Sequence, residues 1–274
     1  MQNETVLVIG TGNMGGAIAQ GLAHADHAPE LILCDHNPTR HANLKTRFPA
    51  AQVVQAISQV QQSPSVIILA VKPHDLKIIC QHLTAELADT ARLYLSVAAG
   101  VPHSALINWL GQNAVLVRAM PNTPAEIGLG MTGLYTSTDT STEHKNIADS
   151  IMQAVGKTLW LDTEEQLDAL TALSGSGPAY VFYFMECLQQ AGISLGLSAE
   201  QARALTQQTL LGSAQLAQQS TTFSQLRLNV TSKGGTTEQA LASLTDHDLQ
   251  KIITLALTAA RDRALEISNT YQEQ

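Results

Sequence analysis

The chain has 274 residues, of which 45% are hydrophobic and 14% charged, and its formal net charge is −8. This length accommodates one large or two ordinary domains with a sizeable core, and the acidic balance argues against nucleic acid and anionic membranes as partners. No hydrophobic run reaches the length of a membrane span and no signal peptide opens the chain, so we expect a cytoplasmic protein.

The first part of the chain, residues 1–161, alternates between short β-branched runs and helical patterns. The runs are TVLVI (5–9), LILC (31–34), SVIILAV (65–71), RLYLSV (92–97), AVLVRA (114–119) and KTLWL (157–161). Helical patterns lie between them, as at residues 14–25 and 75–88. Alternation of this kind predicts an α/β fold with a doubly wound, mostly parallel sheet that helices cover on both faces.

The first strand runs directly into Gly10-x-Gly12-x-x-Gly15, which opens a helix. Gly10 permits the tight turn, Gly12 lets the backbone approach a pyrophosphate, and Gly15 lets helix and strand pack closely. The helix N-terminus offers free N–H groups and a positive dipole end to phosphates. Because strand, glycines and helix follow in order, the segment predicts a Rossmann-type dinucleotide-binding domain. The alternative is a glycine-rich turn that serves packing alone.

The second strand is followed by Asp35-His-Asn-Pro-Thr-Arg40. An acid in the place of Asp35 usually accepts hydrogen bonds from the ribose hydroxyls of NAD. Arg40, His36 and Asn37 suit the 2′-phosphate of NADP instead, so the sequence leaves the nucleotide preference open. Asp35 or Asn37 also suits a capping position of the helix that begins at the proline.

Two further strands end in unusual residues at the carboxyl edge of the sheet, where open α/β folds bind ligands. One runs into Ala70–Pro73 and the next into Val97–Ala99. The small residues leave room for a flat ring or ribose, and Lys72 is either a cofactor contact or a solvated lysine at a strand end. The following strand ends in the proline-bracketed loop 118–124, which is either a wall of the site or a rigid exit from the sheet.

After residue 161 the strand signals stop, and the rest of the chain reads as helices. Capping-box patterns of the form S/T-x-x-E/Q begin at Thr163 and Ser198. We therefore place a boundary between a dinucleotide-binding domain (1–161) and an all-helical domain (162–274). No Gly/Ser/Pro-rich linker separates them, so we expect the two domains to pack against each other.

A second glycine turn, SKGGTT (232–237), precedes an apolar helical pattern. The segment TTEQ after the glycines has capping-box form, so a helix is predicted to begin at about Thr237. The N–H groups of Gly234 and Gly235 can then bind one small anion, helped by neighbouring hydroxyls. No strand precedes the turn, which favours a substrate carboxylate over a second nucleotide. The alternative is a hinge with capping threonines.

A third glycine-rich stretch, LSGSGPAY (173–180), joins two apolar helices and either lets a ligand approach the backbone or forms a plain turn. None of the three glycine segments carries an obvious general acid or base. Dehydrogenases that act on alcohols need such a group for the hydroxyl proton, whereas an imine is basic enough to be protonated by solvent. The pattern therefore favours reduction of a C=N bond over oxidation of an alcohol.

Over essentially its whole length the sequence resembles the pyrroline-5-carboxylate reductases. The matching segments are IGTGNMGGAIAQGL, AVKPHDL, SVAAGV, RAMPNTPAEIGLGMT, LSGSGPAYVF and LRLNVTSKGGTTEQAL. The resemblance implies NADPH, or also NADH, as hydride donor and 1-pyrroline-5-carboxylate as acceptor, giving L-proline in the last step of proline biosynthesis.

The resemblance also implies residue roles, with Thr237 as the catalytic residue placed to hydrogen-bond the ring nitrogen of the substrate. The predicted substrate-binding residues are Glu164, Asn229, Ser232, Gly235, Thr236 and Thr237. The predicted cofactor-binding residues, with Asp35 added from its place after the second strand, are Gly10, Thr11, Gly12, Asn13, Met14, Gly15, Asp35, Asn37, Ala70, Val71, Lys72, Pro73, Val97, Ala98 and Ala99. The chain departs from the family at Lys233, where proline is frequent.

Two other classes of protein share parts of this pattern. A β-hydroxyacid dehydrogenase has a similar two-domain plan but uses a catalytic lysine on its helical domain, and residues 163–173 and 178–222 contain no lysine. A nucleotide-sensing protein would keep the sheet domain for regulation, but it would have no use for the intact SGSGPAY and GGTT segments.

The helical part carries more apolar surface than it can bury alone. The helix that begins at Pro178, helix 199–217 and the final helix are apolar around most of their circumference, and such helices are buried on nearly all sides. We therefore predict an obligate homodimer of interleaved helical domains with the active site near the interface. The resemblance also allows a decamer of five dimers.

The cysteines and histidines predict neither a disulfide nor a metal site. Cys34, Cys80 and Cys187 are far apart in apolar stretches, so we expect buried free thiols, which fit a reducing cytoplasm. The nine histidines are scattered, without the cysteine or carboxylate cluster that a metal site needs.

Overall fold

The computed structural model describes residues 4–87, 92–219 and 222–272. The strands are β1 (Thr5–Ile9), β2 (Glu30–Cys34), β3 (Gln52–Val54), β4 (Val66–Leu69), β5 (Leu93–Ser96), β6 (Val115–Met120), β7 (Gly130–Thr136) and β8 (Gly156–Trp160). The helices are α1 (Asn13–Ala23), α2 (Pro38–Arg47), α3 (Leu76–Glu86), α4 (His103–Leu110), α5 (Thr142–Gln153), α6 (Gln166–Leu170), α7 (Gly177–Ser194), α8 (Ala199–Leu216), α9 (Phe223–Asn229), α10 (Thr236–Asp246) and α11 (Leu249–Gln272).

The strands form one sheet in the order β3-β2-β1-β4-β5-β6-β7-β8. Neighbours are parallel except β6 and β7, which are antiparallel. The sequence pattern missed β7, because its residues GMTGLYT contain two glycines and lack a continuous β-branched run. The helix predicted over 75–88 ends as α3 at Glu86, and residue 88 lies outside the described residues.

Helices cover both faces of the sheet, as the hydrophobic runs predict. On one face, Ile18 and Leu22 of α1 and Ile151 of α5 pack on alternate strand residues. On the other face, Leu83 of α3 and Leu106 of α4 pack on the intervening residues. The doubly wound, mostly parallel fold is therefore confirmed, and the central strands are apolar throughout because water reaches neither face.

The chain separates into two compact units, Met1–Ser176 with Ala259–Gln274, and Gly177–Thr258. Helix α6 belongs to the first unit because Leu170 packs into the space beside Gly133 in β7, where an added Cβ would lie 2.3 Å from a leucine methyl. The end of α11 belongs there too, since the ring of Tyr271 meets the ring of Trp109 edge-on, with the ring centroids 6.4 Å apart. The boundary at residues 161/162 stays a prediction about domains.

Of the two capping boxes predicted at the start of the helical part, one forms completely. The Ser198 hydroxyl accepts from the Gln201 N–H at 3.1 Å, and the Gln201 side chain accepts from the Ser198 N–H at 2.9 Å. At Thr163 only the glutamine half forms, and α6 begins at Gln166, so the predicted helix start is early.

The second unit, Gly177–Thr258, leaves large apolar side chains in contact with solvent. Phe182 of α7 is 59% exposed and Tyr183 is 69% exposed, although α7 and α8 pack closely where Gly192 faces Ala202. Cys187, on the same helix, is exposed, so the prediction that all three thiols are buried is wrong for this one. None of the described helices combines the length and apolar character that crossing a bilayer requires.

Candidate active site

A cleft of about 870 Å³ lies at the carboxyl ends of the parallel strands in the first unit. Its lining is Gly10, Gly12, Asn13, Met14, Asp35, His36, Arg40, Ala70, Val71, Lys72, Pro73, Asp75, Ile78, Ile79, Val97, Ala98, Ala99, Thr123 and Glu126. The cleft thus brings together most of the predicted cofactor residues, which come from the ends of separate strands. Chain topology explains this, because parallel strands end at one edge of the sheet.

The glycine loop combines three different steric requirements. Gly10 has φ +87°, and an added Cβ would lie 2.8 Å from the carbonyl oxygen of Ala70. At Gly15 an added Cβ would lie 2.0 Å from the carbonyl oxygen of Gly10, so this residue packs the helix on the strand and does not line the cleft. At Gly12 an added Cβ would meet nothing within 4 Å and would project into the cleft.

The first turn of α1 has free hydrogen-bond donors. No side chain caps it, and the first intrahelical bond runs from the Gly16 N–H to the Gly12 carbonyl at 2.7 Å. The N–H groups of Asn13, Met14 and Gly15 therefore have no acceptor within the helix. Donors at an uncapped helix start, beside a glycine without Cβ, suit a diphosphate.

Asp35 is held by the protein itself. Its Oδ2 accepts from the N–H and hydroxyl of Thr11 at 3.0 and 2.6 Å and from Arg40 at 3.0 Å, while its Oδ1 accepts from the Asn37 N–H at 2.9 Å. Burial alone would raise the pKa of Asp35, but these hydrogen bonds, that from the Thr11 hydroxyl first, lower it to about 2. The carboxylate is 2% exposed and charged at neutral pH.

Asn37 does not line the cleft and caps α2. Its side-chain oxygen accepts from the N–H and the hydroxyl of Thr39 at 3.0 and 2.7 Å, which confirms the capping alternative. A contact between Asn37 and a ribose stays a prediction. Thr11 lines a neighbouring polar cleft of about 370 Å³, which also contains Gly12, Arg40 and Arg47.

The sequence missed several residues that line the large cleft. Ile78 and Ile79, on the first turn of α3, form an apolar wall beside Pro73, and Ile78 is 57% exposed. Such exposure of a branched aliphatic side chain in a cleft suits packing against a flat base. Glu126 lies after β6, just beyond Thr123, which belongs to the loop 118–124 that was predicted as a possible wall. The helix predicted over 75–88 includes Ile78 and Ile79, but the strand-end argument considered only the residues immediately after each strand.

The loop after β6 is a wall of this cleft and is tied to the SGSG stretch. The side-chain amide of Asn122 donates to the carbonyl and hydroxyl oxygens of Ser174, both at 3.2 Å, and its oxygen accepts from the Met131 N–H at 2.9 Å. Gly175 packs closely here, because an added Cβ would lie 2.6 Å from the methyl of Met120, whereas an added Cβ at Gly177 would meet nothing within 4 Å. In this stretch Gly175 therefore serves close packing against the end of β6.

Glu164 lies in the first unit, whereas the other predicted substrate residues lie in the second. Its Oε1 accepts from Arg118 and from the His103 N–H, both at 2.5 Å. The Arg118 side chain is 8% exposed and that of Glu164 is 28% exposed. The carboxylate predicted to contact substrate is thus already paired with a buried cation and with a helix start.

The second glycine turn joins α9 to α10 and places Asn229, Ser232, Gly235, Thr236 and Thr237 within one short stretch. Gly234 has φ +74°, and its N–H donates to the Glu238 carboxylate at 2.7 Å. The Gly235 N–H donates to the Ser232 carbonyl at 3.0 Å. Both glycine N–H groups that we expected to bind an anion therefore already have acceptors.

The free donors of this turn lie one residue further along. Helix α10 begins at Thr236 with Gly235 as its N-cap, and the predicted Thr236–Gln239 capping box is replaced by the Glu238 bond. Its first intrahelical bond runs from the Gln239 N–H to the Gly235 carbonyl oxygen at 3.3 Å. The N–H groups of Thr236 and Thr237 therefore have no acceptor within the helix. Thr237 is half-buried.

The first-unit cleft fits a nicotinamide dinucleotide by its own chemistry. The uncapped start of α1 offers donors to a diphosphate, and Gly12 leaves the space that a side chain would fill. The apolar wall at Pro73 and Ile78 suits a base at one end, and the small residues Val97–Ala99 suit a ring at the other.

Comparison with protein families finds a match in the first part of the chain and another in the helical part. A family model described as pyrroline-5-carboxylate reductase dimerisation matches residues 164–267, and one described as NADP oxidoreductase, coenzyme F420-dependent, matches residues 5–100. The chain is 40% identical over 270 residues to pyrroline-5-carboxylate reductase of Pseudomonas aeruginosa, covering 98% of both chains. It is 34% identical over 267 residues to that of Arabidopsis thaliana, covering 96% of this chain and 95% of the relative.

Solved structures with similar folds include a pyrroline-5-carboxylate reductase from Coxiella burnetii and a pyrroline carboxylate reductase from Plasmodium falciparum. That of Coxiella burnetii matches with a TM-score of 0.92 at 40% identity, covering 97% of this chain and 99% of the other. That of Plasmodium falciparum, solved with NADP bound, matches with a TM-score of 0.84 at 27% identity, covering 98% and 99%. Identity of this level over nearly the full length of the relatives places the chain in the pyrroline-5-carboxylate reductase family.

Proposed function

We propose that the chain catalyses the reduction of 1-pyrroline-5-carboxylate to L-proline with a reduced nicotinamide dinucleotide, the last step of proline biosynthesis. The full-length match to pyrroline-5-carboxylate reductases carries the proposal, because it includes both glycine turns and the helical part. When bound, the nucleotide supplies the hydride that the C=N carbon accepts.

The chain's own residues contribute binding and orientation. The first turn of α1 binds the diphosphate, and the first turn of α10 binds the substrate carboxylate through the N–H groups of Thr236 and Thr237. The Thr237 hydroxyl hydrogen-bonds the ring nitrogen. Asn229 and Ser232 complete the surroundings of the substrate. Solvent provides the proton on nitrogen, so catalysis is mainly the positioning of two reactants, which can lower a barrier by several kcal/mol, about 7 or more in favourable cases.

An absorbance assay of nucleotide oxidation tests the proposal. Purified, folded protein mixed with 1-pyrroline-5-carboxylate is expected to oxidise NADPH or NADH and to release L-proline in equal amount, measured by chromatography. Absence of turnover with both nucleotides, in protein with a cooperative thermal transition, overturns the proposal.

We further propose that NADPH is the preferred nucleotide, although NADH is also accepted. All four hydrogen bonds to the Asp35 carboxylate come from the protein, so little capacity remains for ribose hydroxyls. Arg40 is 48% exposed by its side chain and lines both clefts, and it uses only one nitrogen for Asp35. Its remaining donors suit a 2′-phosphate, and the exposed His36 lies beside it in the lining.

Arg40→Ala is expected to weaken NADPH selectively. We expect the KM for NADPH to rise roughly tenfold to a hundredfold, the usual loss for one charge-assisted hydrogen-bonding partner, while the KM for NADH changes little. Lys45→Ala is the matched control, because Lys45 lies on the same helix with the same charge but lines neither cleft. Equal losses with both nucleotides in Arg40→Ala would contradict a 2′-phosphate contact.

The chain forms a homo-oligomer through its helical part, since residues 164–267 match a dimerisation model. We propose an obligate homodimer, because the described helices of the second unit expose large apolar side chains that only a partner can remove from water. Active sites completed near the interface, and a decamer of five such dimers, remain part of the proposal.

Light scattering after size exclusion tests the dimer. At low micromolar concentration we expect at least twice the chain mass of 29.2 kDa, with activity and mass falling together on dilution. Phe182→Glu places a charge on the exposed face of α7 and is expected to produce monomers without activity. An active wild-type monomer would show that these faces need no partner.

A further inference from the structure

One carboxylate, that of Glu164, joins two separate elements of the first unit. Its Oε1 accepts from Arg118 of β6 and from the N–H of His103, the first residue of α4, both at 2.5 Å. Arg118 is nearly buried, so it has little access to water as an alternative partner. In the described residues the Arg118–Glu164 pair is the one ion pair in which the cation is buried.

Glu164 supplies the cap that the sequence at the start of α4 lacks. The N-cap residue is Pro102, whose side chain cannot accept a hydrogen bond. A carboxylate at this end of a helix satisfies an otherwise unpaired N–H and interacts favourably with the helix dipole. The start of α4 is therefore fixed to β6 by a residue that lies far away in sequence.

The segment that α4 follows lines the proposed cofactor cleft. Val97–Ala99 form its wall, and this short connection is fixed at three points. The Val97 N–H donates to the Leu69 carbonyl at 3.1 Å, and Gly100, with φ +75°, lies so close to Ile267 that an added Cβ would be 2.5 Å from it. The third point is the bond from His103 to Glu164.

Arg118 connects the same carboxylate to the other wall. It pairs in register with Ser96, the residue before Val97, and β6 continues from it into the loop that carries Thr123 and Glu126. A dinucleotide whose diphosphate lies on α1 and whose adenosine lies towards β2 directs its nicotinamide half towards β5. Both segments anchored by Glu164 therefore bound the end of the cleft where the nicotinamide would lie.

We propose that Glu164 is a positioning residue for hydride transfer: with Arg118 it holds Val97–Ala99 and the loop after β6 in the arrangement that orients the nicotinamide ring. The proposal rests on the proposed reductase function. It replaces the expectation that Glu164 contacts the substrate. The carboxylate acts through the backbone that it fixes.

Three variants distinguish positioning through the backbone from direct contact between Glu164 and the substrate. Glu164→Ala removes the cap and leaves Arg118 without its partner. Glu164→Gln keeps an oxygen that can accept from the His103 N–H and loses only the charge. Glu165→Ala is the matched control, because it removes the same charge from the next residue, which contacts neither His103 nor Arg118.

Steady-state kinetics and isotope effects provide the first readout. We expect Glu164→Ala to lower kcat roughly tenfold to a hundredfold with little change in the KM for pyrroline-5-carboxylate, as expected when orientation is lost but binding is kept. The primary isotope effect with NADPH deuterated at the transferred position should increase, since hydride transfer becomes slower than product release. Glu164→Gln should recover most of the loss, and Glu165→Ala should match the wild type.

Fluorescence of bound NADPH without substrate provides the second readout and does not depend on turnover. We expect its emission maximum to differ between Glu164→Ala and wild type and to agree between Glu165→Ala and wild type. If the wild type binds NADPH but does not reduce pyrroline-5-carboxylate, the proposed function fails, and this readout still tests positioning.

Two results would overturn the proposal. A rise of about tenfold or more in the KM for pyrroline-5-carboxylate, with kcat and the isotope effect unchanged in both Glu164 variants, would show direct substrate binding. Identical kinetics and fluorescence in Glu164→Ala and Glu165→Ala would show that the cap has no role. If Glu164→Ala does not fold, Glu164→Gln decides, because a fully inactive but folded glutamine variant contradicts a role carried by the cap.

Discussion

Gly12→Ala is expected to weaken nucleotide binding strongly while leaving the fold intact. An added Cβ at Gly12 meets no protein atom within 4 Å, so it causes no clash in the folded state. The same methyl projects into the cleft beside the free N–H groups of α1, where the backbone must approach the diphosphate. We expect the Kd for NADPH to rise about a hundredfold or more, equivalent to about 2.7 kcal/mol, measured by fluorescence titration.

Gly15→Ala is the matched comparison, because it adds the same methyl to the same loop with the opposite consequence. The new Cβ would lie 2.0 Å from the Gly10 carbonyl oxygen, a backbone atom that can move only if the turn opens. We expect a loss of stability of about 3 kcal/mol or more, seen as a lower midpoint in thermal unfolding. If Gly12→Ala also unfolds, or if it binds NADPH normally, the assignment of the loop is wrong.

Thr237→Ala is expected to lower kcat/KM roughly tenfold to a hundredfold, the usual contribution of one hydrogen bond to a polar or charged group. Thr237 is the second residue of α10, and in the described residues its hydroxyl makes no hydrogen bond. Removing it should leave stability and NADPH affinity nearly unchanged, so the loss reports a contact with substrate.

Two further variants interpret the Thr237 result. Thr237→Ser keeps the hydroxyl and should retain most activity. Thr245→Ala removes a hydroxyl from the same helix, where it bonds only to the Leu241 carbonyl, and should leave kcat/KM unchanged. Full activity in Thr237→Ala would make this threonine an ordinary helix residue next to a cap.

Local chemistry predicted the glycine loop and the doubly wound sheet. The three glycines of Gly10-x-Gly12-x-x-Gly15 follow a strand and open a helix, and this order alone indicates the turn and the helix. The structure gives Gly10 and Gly15 steric reasons, because an added Cβ would meet the Ala70 and Gly10 carbonyl oxygens. Long hydrophobic runs likewise indicate strands covered on both faces. The antiparallel β7 was missed because its residues contain two glycines and lack a β-branched run, so that only its pairing with β6 and β8 identifies it as a strand.

The site was predicted less completely, because side-chain partners come from distant parts of the chain. The sequence left Asp35 and Asn37 open between ribose contacts and helix caps. The structure confirms the cap at Asn37, whereas the bonds from Thr11 and Arg40 to Asp35 were not predicted. At the second turn, the Glu238 carboxylate accepts from the Gly234 N–H, so this predicted donor is not free to bind an anion.

Comparing pyrroline-5-carboxylate with 1-pyrroline, the same imine without its carboxylate, tests whether this chain uses its two turns for two different anions. With saturating NADPH, we expect kcat/KM to be about a hundredfold or more lower for 1-pyrroline, because charge-assisted hydrogen bonds to the start of α10 are lost. The difference should shrink in Thr236→Pro, which removes one of these N–H donors at a first helical position where proline is tolerated. Equal kcat/KM values for the two imines in the wild type would contradict a carboxylate site at α10.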